Sequence, residues 1–155
     1  MDGCGLTLPQ DLTSGKPTLI ADECIWVQVW RRTRTNNALI EVIVTKRSLP
    51  DTSLKQFIQC QTSTWIKIDA QTDIAIPGAL KAKRVEGLVN IYEDPVPECN
   101  EHITVVYALN HQYELFTLAV RTLPQVAQGA RAEIESWIAS FRLDATKARR
   151  SAPFC

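Results

Sequence analysis

The chain has 155 residues, 45% of them hydrophobic and 22% charged, which fits one globular domain around a single core. Lys+Arg and Asp+Glu stand at 17 each, so the basic excess that a general nucleic-acid binder or an electrostatic membrane anchor needs is missing. No run approaches the ~18 apolar residues of a membrane-crossing helix.

Residues 1–23 hold Gly3, Gly5, Pro9, Gly15 and Pro17 among polar residues and read as an irregular arm, with a short strand at Thr18–Ala21. Cys24–Arg32 alternates, with Ile25, Val27 and Val29 on one face and Trp26, Gln28 and Trp30 on the other. Leu39–Lys46 repeats the pattern, and Arg34-Thr35-Asn36-Asn37 between them suits a hairpin turn. Asp51 or Thr52 then offers a helix cap. Leu54, Phe57, Ile58, Gln61 and Trp65 recur at helical spacing, which predicts a helix over Ser53–Trp65.

A short strand is expected near Asp73–Ile76, before a Pro77-Gly78 turn. Leu80–Tyr92 is extended, with Gly87 as a bulge site. Glu93–Glu101 is an acidic loop whose two prolines bar a central strand. Ile103–Asn110 and Gln112–Arg121 form a hairpin, and Pro124–Phe141 an amphipathic helix weakened at Gly129. Residues 144–155 read as a basic tail, leaving 24–143 as the domain. The order β-β-α-β-β-β-β-α gives an α+β fold. Its antiparallel sheet has strands apolar on both faces, so helices must cover both sides, as α/β/α.

Chemistry is sparse. His102 and His111 are the two histidines. At about 3.3 Å per residue of strand they lie roughly 30 Å apart, too far to share a metal. Cys4, Cys24, Cys60, Cys99 and Cys155 are scattered without a Cys-x-x-Cys pair, so neither a metal site nor a cofactor is expected. No Gly-x-Ser-x-Gly elbow and no Gly-rich phosphate loop occurs. Cys60 falls on the first helix as an idle thiol. The reading is therefore non-enzymatic.

Trp26, Trp30 and Arg32 share one partly polar strand face, the makings of a protein-binding surface, with Tyr92 and the acidic loop as its rim. Burial of that face beneath the arm or a helix is the bland alternative. The leading expectation is an adaptor or chaperone for another polypeptide, monomeric or weakly dimeric. A second is a carrier of a small apolar ligand between helix and sheet, lined by Phe57, Trp65 and Val89. A third is an enzyme with a site assembled from distant acidic residues. Scattered thiols suit the cytoplasm. An exported or lipid-anchored precursor trimmed near Cys4 is the alternative.

Several strings resemble the Mog1/PsbP-like superfamily. Val44–Arg47 followed by Leu49-Pro50-Asp51-Thr52-Ser53-Leu54-Lys55-Gln56-Phe57 is similar to the strand-to-helix passage of bacterial DcrB-like proteins. Ile76–Ala79 and Ala82–Gly87 resemble the central segment of those proteins and of related mycobacterial lipoproteins. Tyr113–Thr122 with Trp137–Leu143 resembles their closing hairpin and helix. The resemblance spans about residues 25–143 and implies an antiparallel sheet between helical layers. It also implies binding rather than catalysis in most members. No functional motif carries over residue by residue, and neither a lipobox nor the metal-site residues of some photosystem members align.

Overall fold

The computed structural model describes residues 1–34, 37–49, 53–90 and 99–144, with the backbone alone at Arg34, Asn37 and Ala38. The arm contributes three short strands, β1 (Cys4–Gly5), β2 (Thr13–Ser14) and β3 (Thr18–Ile20), and a single 3-10 turn at Ala21–Glu23. Two long strands follow, β4 (Ile25–Arg34) and β5 (Asn37–Ser48), and then helix α1 (Leu54–Thr62). Next come β6 (Lys67–Asp73), β7 (Lys81–Asn90), β8 (Asn100–Leu109) and β9 (Glu114–Thr122). The described chain ends with α2 (Pro124–Ala127), α3 (Arg131–Ser140) and β10 (Arg142–Leu143).

The described strands build one antiparallel sheet in the order β2-β4-β5-β9-β8-β7-β6, with β3 also on β4, and a small β1–β10 pair. Alternation sorts the side chains. Ile40, Val42 and Val44 of β5 meet Phe116, Leu118 and Val120 of β9 on one face, under Ile134, Trp137, Ile138 and Phe141. Val85, Val105, Tyr107 and Leu115 point the other way, under Leu54 and Ile58 of α1. Two apolar faces thus need two helical covers, and the α+β antiparallel sheet sandwiched by helices is the architecture observed.

Three expected elements fall elsewhere. The predicted strand near Asp73–Ile76 sits earlier, at Lys67–Asp73, because the Pro77-Gly78 turn is closed by the Ala79 amide on the Ile76 carbonyl and occupies the later residues. The second long helix breaks between Ala127 and Arg131, where Gly129 interrupts a run with little else to hold it. α1 stops at Thr62 rather than Trp65. Ser53 starts it with a capping box, its hydroxyl accepting from the Gln56 amide at 3.2 Å; Asp51 and Thr52 lie outside the described residues. Gly87 does face a bulge, between Ile68 and Ala70 of β6. A Cβ there would lie 2.2 Å from the Lys67 carbonyl oxygen and 2.9 Å from the Trp65 ring. Glycine therefore lets Trp65 sit against the sheet.

The arm is tied down by pairing. The Thr7 amide donates to the Ser140 hydroxyl at 2.9 Å, the Asp144 amide to the Gly3 carbonyl at 2.8 Å, and β2 and β3 shield the outer edge of β4.

Candidate binding groove

The register of β4 places Trp26, Trp30 and Arg32 on the α3 side, since Trp30 lies opposite Val42. Trp30 packs against the α3-side core. Arg32 is committed: its Nη2 lies 2.9 Å from Glu133 Oε2 on α3, its Nε 2.7 Å from Asp11 Oδ2 of the arm, and its guanidinium 5.8 Å from the Trp137 ring. These carboxylates hold the guanidinium above its already high ionisation range. Trp26 is half-buried and lines a small cavity of about 220 Å³ with Pro17 and Lys46. Tyr92 and residues 93–98 of the acidic loop lie outside the described residues.

A groove of about 220 Å³ opens on the opposite side, between the flank of α1 and the sheet. Phe57 and Trp65 form its α1 wall, and Tyr107, Ala119 and Ile25 line the sheet side. Phe57 and Tyr107 meet edge to face, 6.2 Å between ring centres. Val89 packs against the same core but does not line the groove. Thr45 and Thr117, cross-strand neighbours, share one hydrogen bond between their hydroxyls. Arg47 is the one charged residue among the described residues that line the groove. Its guanidinium lies 5.1 Å from the Phe57 ring, and its buried Nε has no hydrogen-bond partner. Burial pushes the Tyr107 hydroxyl up to about 12.

That shift fixes a pH dependence. The folded protein holds the Tyr107 proton that the unfolded chain releases from pH 10 upward. Stability is therefore complete below pH 10 and falls as pH rises through about 12. Over those two pH units the loss is about 2–3 kcal/mol. Urea unfolding across pH 9–12 should show this fall in the wild type and a flatter profile in Tyr107→Phe.

Beyond the reach of α1 the same sheet face is only half-buried among the described residues. Val29, Ile43 and Ala119 form one cross-strand row, with Val27 beside it, all half-buried. At one end an ion-pair ladder crosses four strands. Arg31 Nε meets Glu41 at 2.6 Å, Arg121 meets the same carboxylate at 3.4 Å, and Arg121 Nε meets Glu101 at 2.7 Å.

A polar cleft lies on the α3 side, as two adjoining hollows of about 400 Å³ each. Arg84 bridges Glu86 and Glu135 there, with Nη1 donating to Glu135 Oε2 at 2.8 Å. That bond holds the Glu135 carboxyl below its usual range. His102 lines the wall. Arg84 and Arg131 line both hollows with Glu86 and Glu135, so the charges of these four residues balance. Among the described residues no group of three His, Cys, Asp or Glu is placed to hold a metal ion. No helix there is long and apolar enough to cross a membrane.

No family model and no curated protein matches the chain. Solved structures do. The solution structure of PsbP from the cyanobacterium Synechocystis superposes with a TM-score of 0.64 at 12% identity, covering 92% of this chain and 87% of that one. LpqN of Mycobacterium tuberculosis, involved in cell envelope biogenesis, gives 0.61 at 9% identity, over 92% and 84%. PA94 of Pseudomonas aeruginosa, of unknown function, gives 0.58 at 9%, over 88% and 94%. The chain has the Mog1/PsbP-like fold. Within that Mog1/PsbP-like frame, the groove lies where α1 crosses the sheet, and the row from Val29 to Ala119 continues its floor outward.

Sequence reasoning named Phe57 and Trp65 for this groove but missed Arg47 and Arg84. Arg47 carries no local signal. It sits in the basic pair Lys46-Arg47, and alternation sends the two side chains to opposite faces.

Proposed function

We propose that this chain is a non-enzymatic binding module for another polypeptide, and that its working surface is the α1 side of the sheet. The observation that carries this reading is the half-buried apolar row Val29–Ile43–Ala119, which runs beyond α1 into the groove. A half-buried apolar sheet face beside a helix is where an apolar segment of a partner gains from leaving water. The reading moves the contact surface from the Trp26–Trp30–Arg32 face to the opposite face of the same strand. Site-specific photo-crosslinking tests it. Benzoylphenylalanine in place of Val29 should capture one discrete polypeptide in the native cell, and the same group in place of Arg131, on the other face, should not. Identical products from both positions, or none from Val29, would overturn the reading.

A second reading, a carrier of a small apolar ligand, is favoured by the groove itself. Its walls include Phe57 and Trp65, and its lining is largely apolar. The expectation of a cytoplasmic location gains no support from the structural likenesses, one of which is to a protein of cell envelope biogenesis.

A further inference from the structure

We propose that the groove beside α1 binds a small amphiphilic carboxylate, its apolar body between Phe57, Trp65 and Tyr107 and its carboxylate on Arg47. The inference rests on the carrier reading and adds the chemistry of the ligand.

The argument begins with an unmet donor. Among the described residues Arg47 Nε is buried without a hydrogen-bond partner, and the guanidinium enters none of the ion pairs. Arg32, Arg84 and Arg121 each reach at least one carboxylate. A buried charged donor left without an acceptor is costly, and the surroundings of Arg47 do not relieve it. Phe57 offers the cation a π-face 5.1 Å away but no lone pair for the N–H groups. The Thr45 and Thr117 hydroxyls of the lining bond each other, and neither accepts from Arg47 Nε.

The ligand chemistry follows from what the groove holds and lacks. One cation, with no other charged residue among the described lining residues, calls for a monoanion. The planar guanidinium fork matches a carboxylate in two parallel hydrogen bonds. The remaining lining is mainly aromatic and aliphatic: Ile25, Phe57, Trp65, Ile103, Tyr107 and Ala119. A volume of about 220 Å³ suits a medium acyl chain or a single ring system. The occupant is thus a free monocarboxylic acid with an apolar tail.

Octanoate, octanol and octylamine share one tail and differ in the head, so titrating each into the full chain separates the contributions. Binding is followed by the NMR signals of the Trp65 indole N–H and the Arg47 Nε–H. Octanoate should shift both signals saturably and bind at least about tenfold more tightly than octanol, as one charge-assisted hydrogen-bonded pair provides. Octylamine should bind more weakly than octanol. Arg47→Gln should reduce octanoate to the affinity of octanol with an unchanged circular dichroism spectrum, and Arg47→Lys should restore part of the preference. Equal binding of octanoate and octanol to the wild type, or an undiminished preference in Arg47→Gln, would overturn the assignment of a carboxylate to Arg47 and leave the carrier reading standing. No binding of either probe would overturn both.

Discussion

Replacing Lys46 by Met should cost about 3–5 kcal/mol of folding stability, the range for removing one partner of a buried ion pair. Lys46 Nζ lies 3.1 Å from Glu114 Oε1, with both side chains under a tenth exposed. The other Glu114 oxygen accepts from Asn110 Nδ2 at 2.9 Å, and Asn110 Oδ1 in turn accepts from the amides of Gln112 and Glu114 at 2.9 Å each. Lys46 also lies 5.5 Å from the Phe116 ring. Met fills the volume of the Lys stem but leaves the Glu114 charge without its counterion, and desolvation is then uncompensated. The double variant Lys46→Met/Glu114→Gln removes both charges and keeps an acceptor for Asn110, so it should recover at least half of the loss. Urea midpoints for the two single variants and the double close the cycle. A single-variant loss below about 1 kcal/mol, or a double variant less stable than Lys46→Met alone, would count against this account. The network also matters for the groove. Lys46 and Glu114 precede Arg47 and Leu115 directly, so the ion pair on the α3 face holds the register that sets Arg47 opposite Leu115 on the α1 face.

The parts of the fold legible in the sequence were those with a local period. Val105 and Tyr107 alternate with Val106 and Ala108, and that double-sided pattern required cover on both faces. The Leu54–Ile58 spacing located α1, and Gly87 marked its bulge. Features set by long-range register were not legible. Arg32 looked available to a partner because its two carboxylates lie 21 and 101 residues away in sequence. Arg47 drew no reading of its own from the sequence, and only the pairing of β5 with β9, together with Phe57 of α1, sets it over the groove. Trp65 seemed to belong to a helical stripe. It is instead the first residue past the turn, its amide on the Thr62 carbonyl at 3.1 Å and its ring against Gly87. In the arm the expected strand at Thr18–Ala21 falls on β3, whereas the two-residue β1 and β2 carry no period and went unread.

Gly87→Ala should destabilise the protein by about 2–4 kcal/mol, more than a methyl group costs on an open strand, because the atoms it meets cannot yield cheaply. The new Cβ would lie 2.2 Å from the Lys67 carbonyl oxygen, a backbone atom held in the β6–β7 ladder through the pairing of Lys67 with Leu88. Relief therefore means opening the β6 bulge or pulling β6 from β7. The same Cβ would come within 2.9 Å of the Trp65 ring, which must swing outward. Trp65 is one wall of the groove, so the damage should reach ligand binding as well as stability. Val106→Ala is the control. Val106 is fully buried on the α3 side, and its truncation should lower stability without touching the groove. If carrier binding is real, Gly87→Ala should lose octanoate affinity at temperatures where it is still folded, and Val106→Ala should keep it. A Gly87→Ala variant with wild-type stability would show that β6 is free to move away from Gly87. Trp65 would then be held by α1 alone.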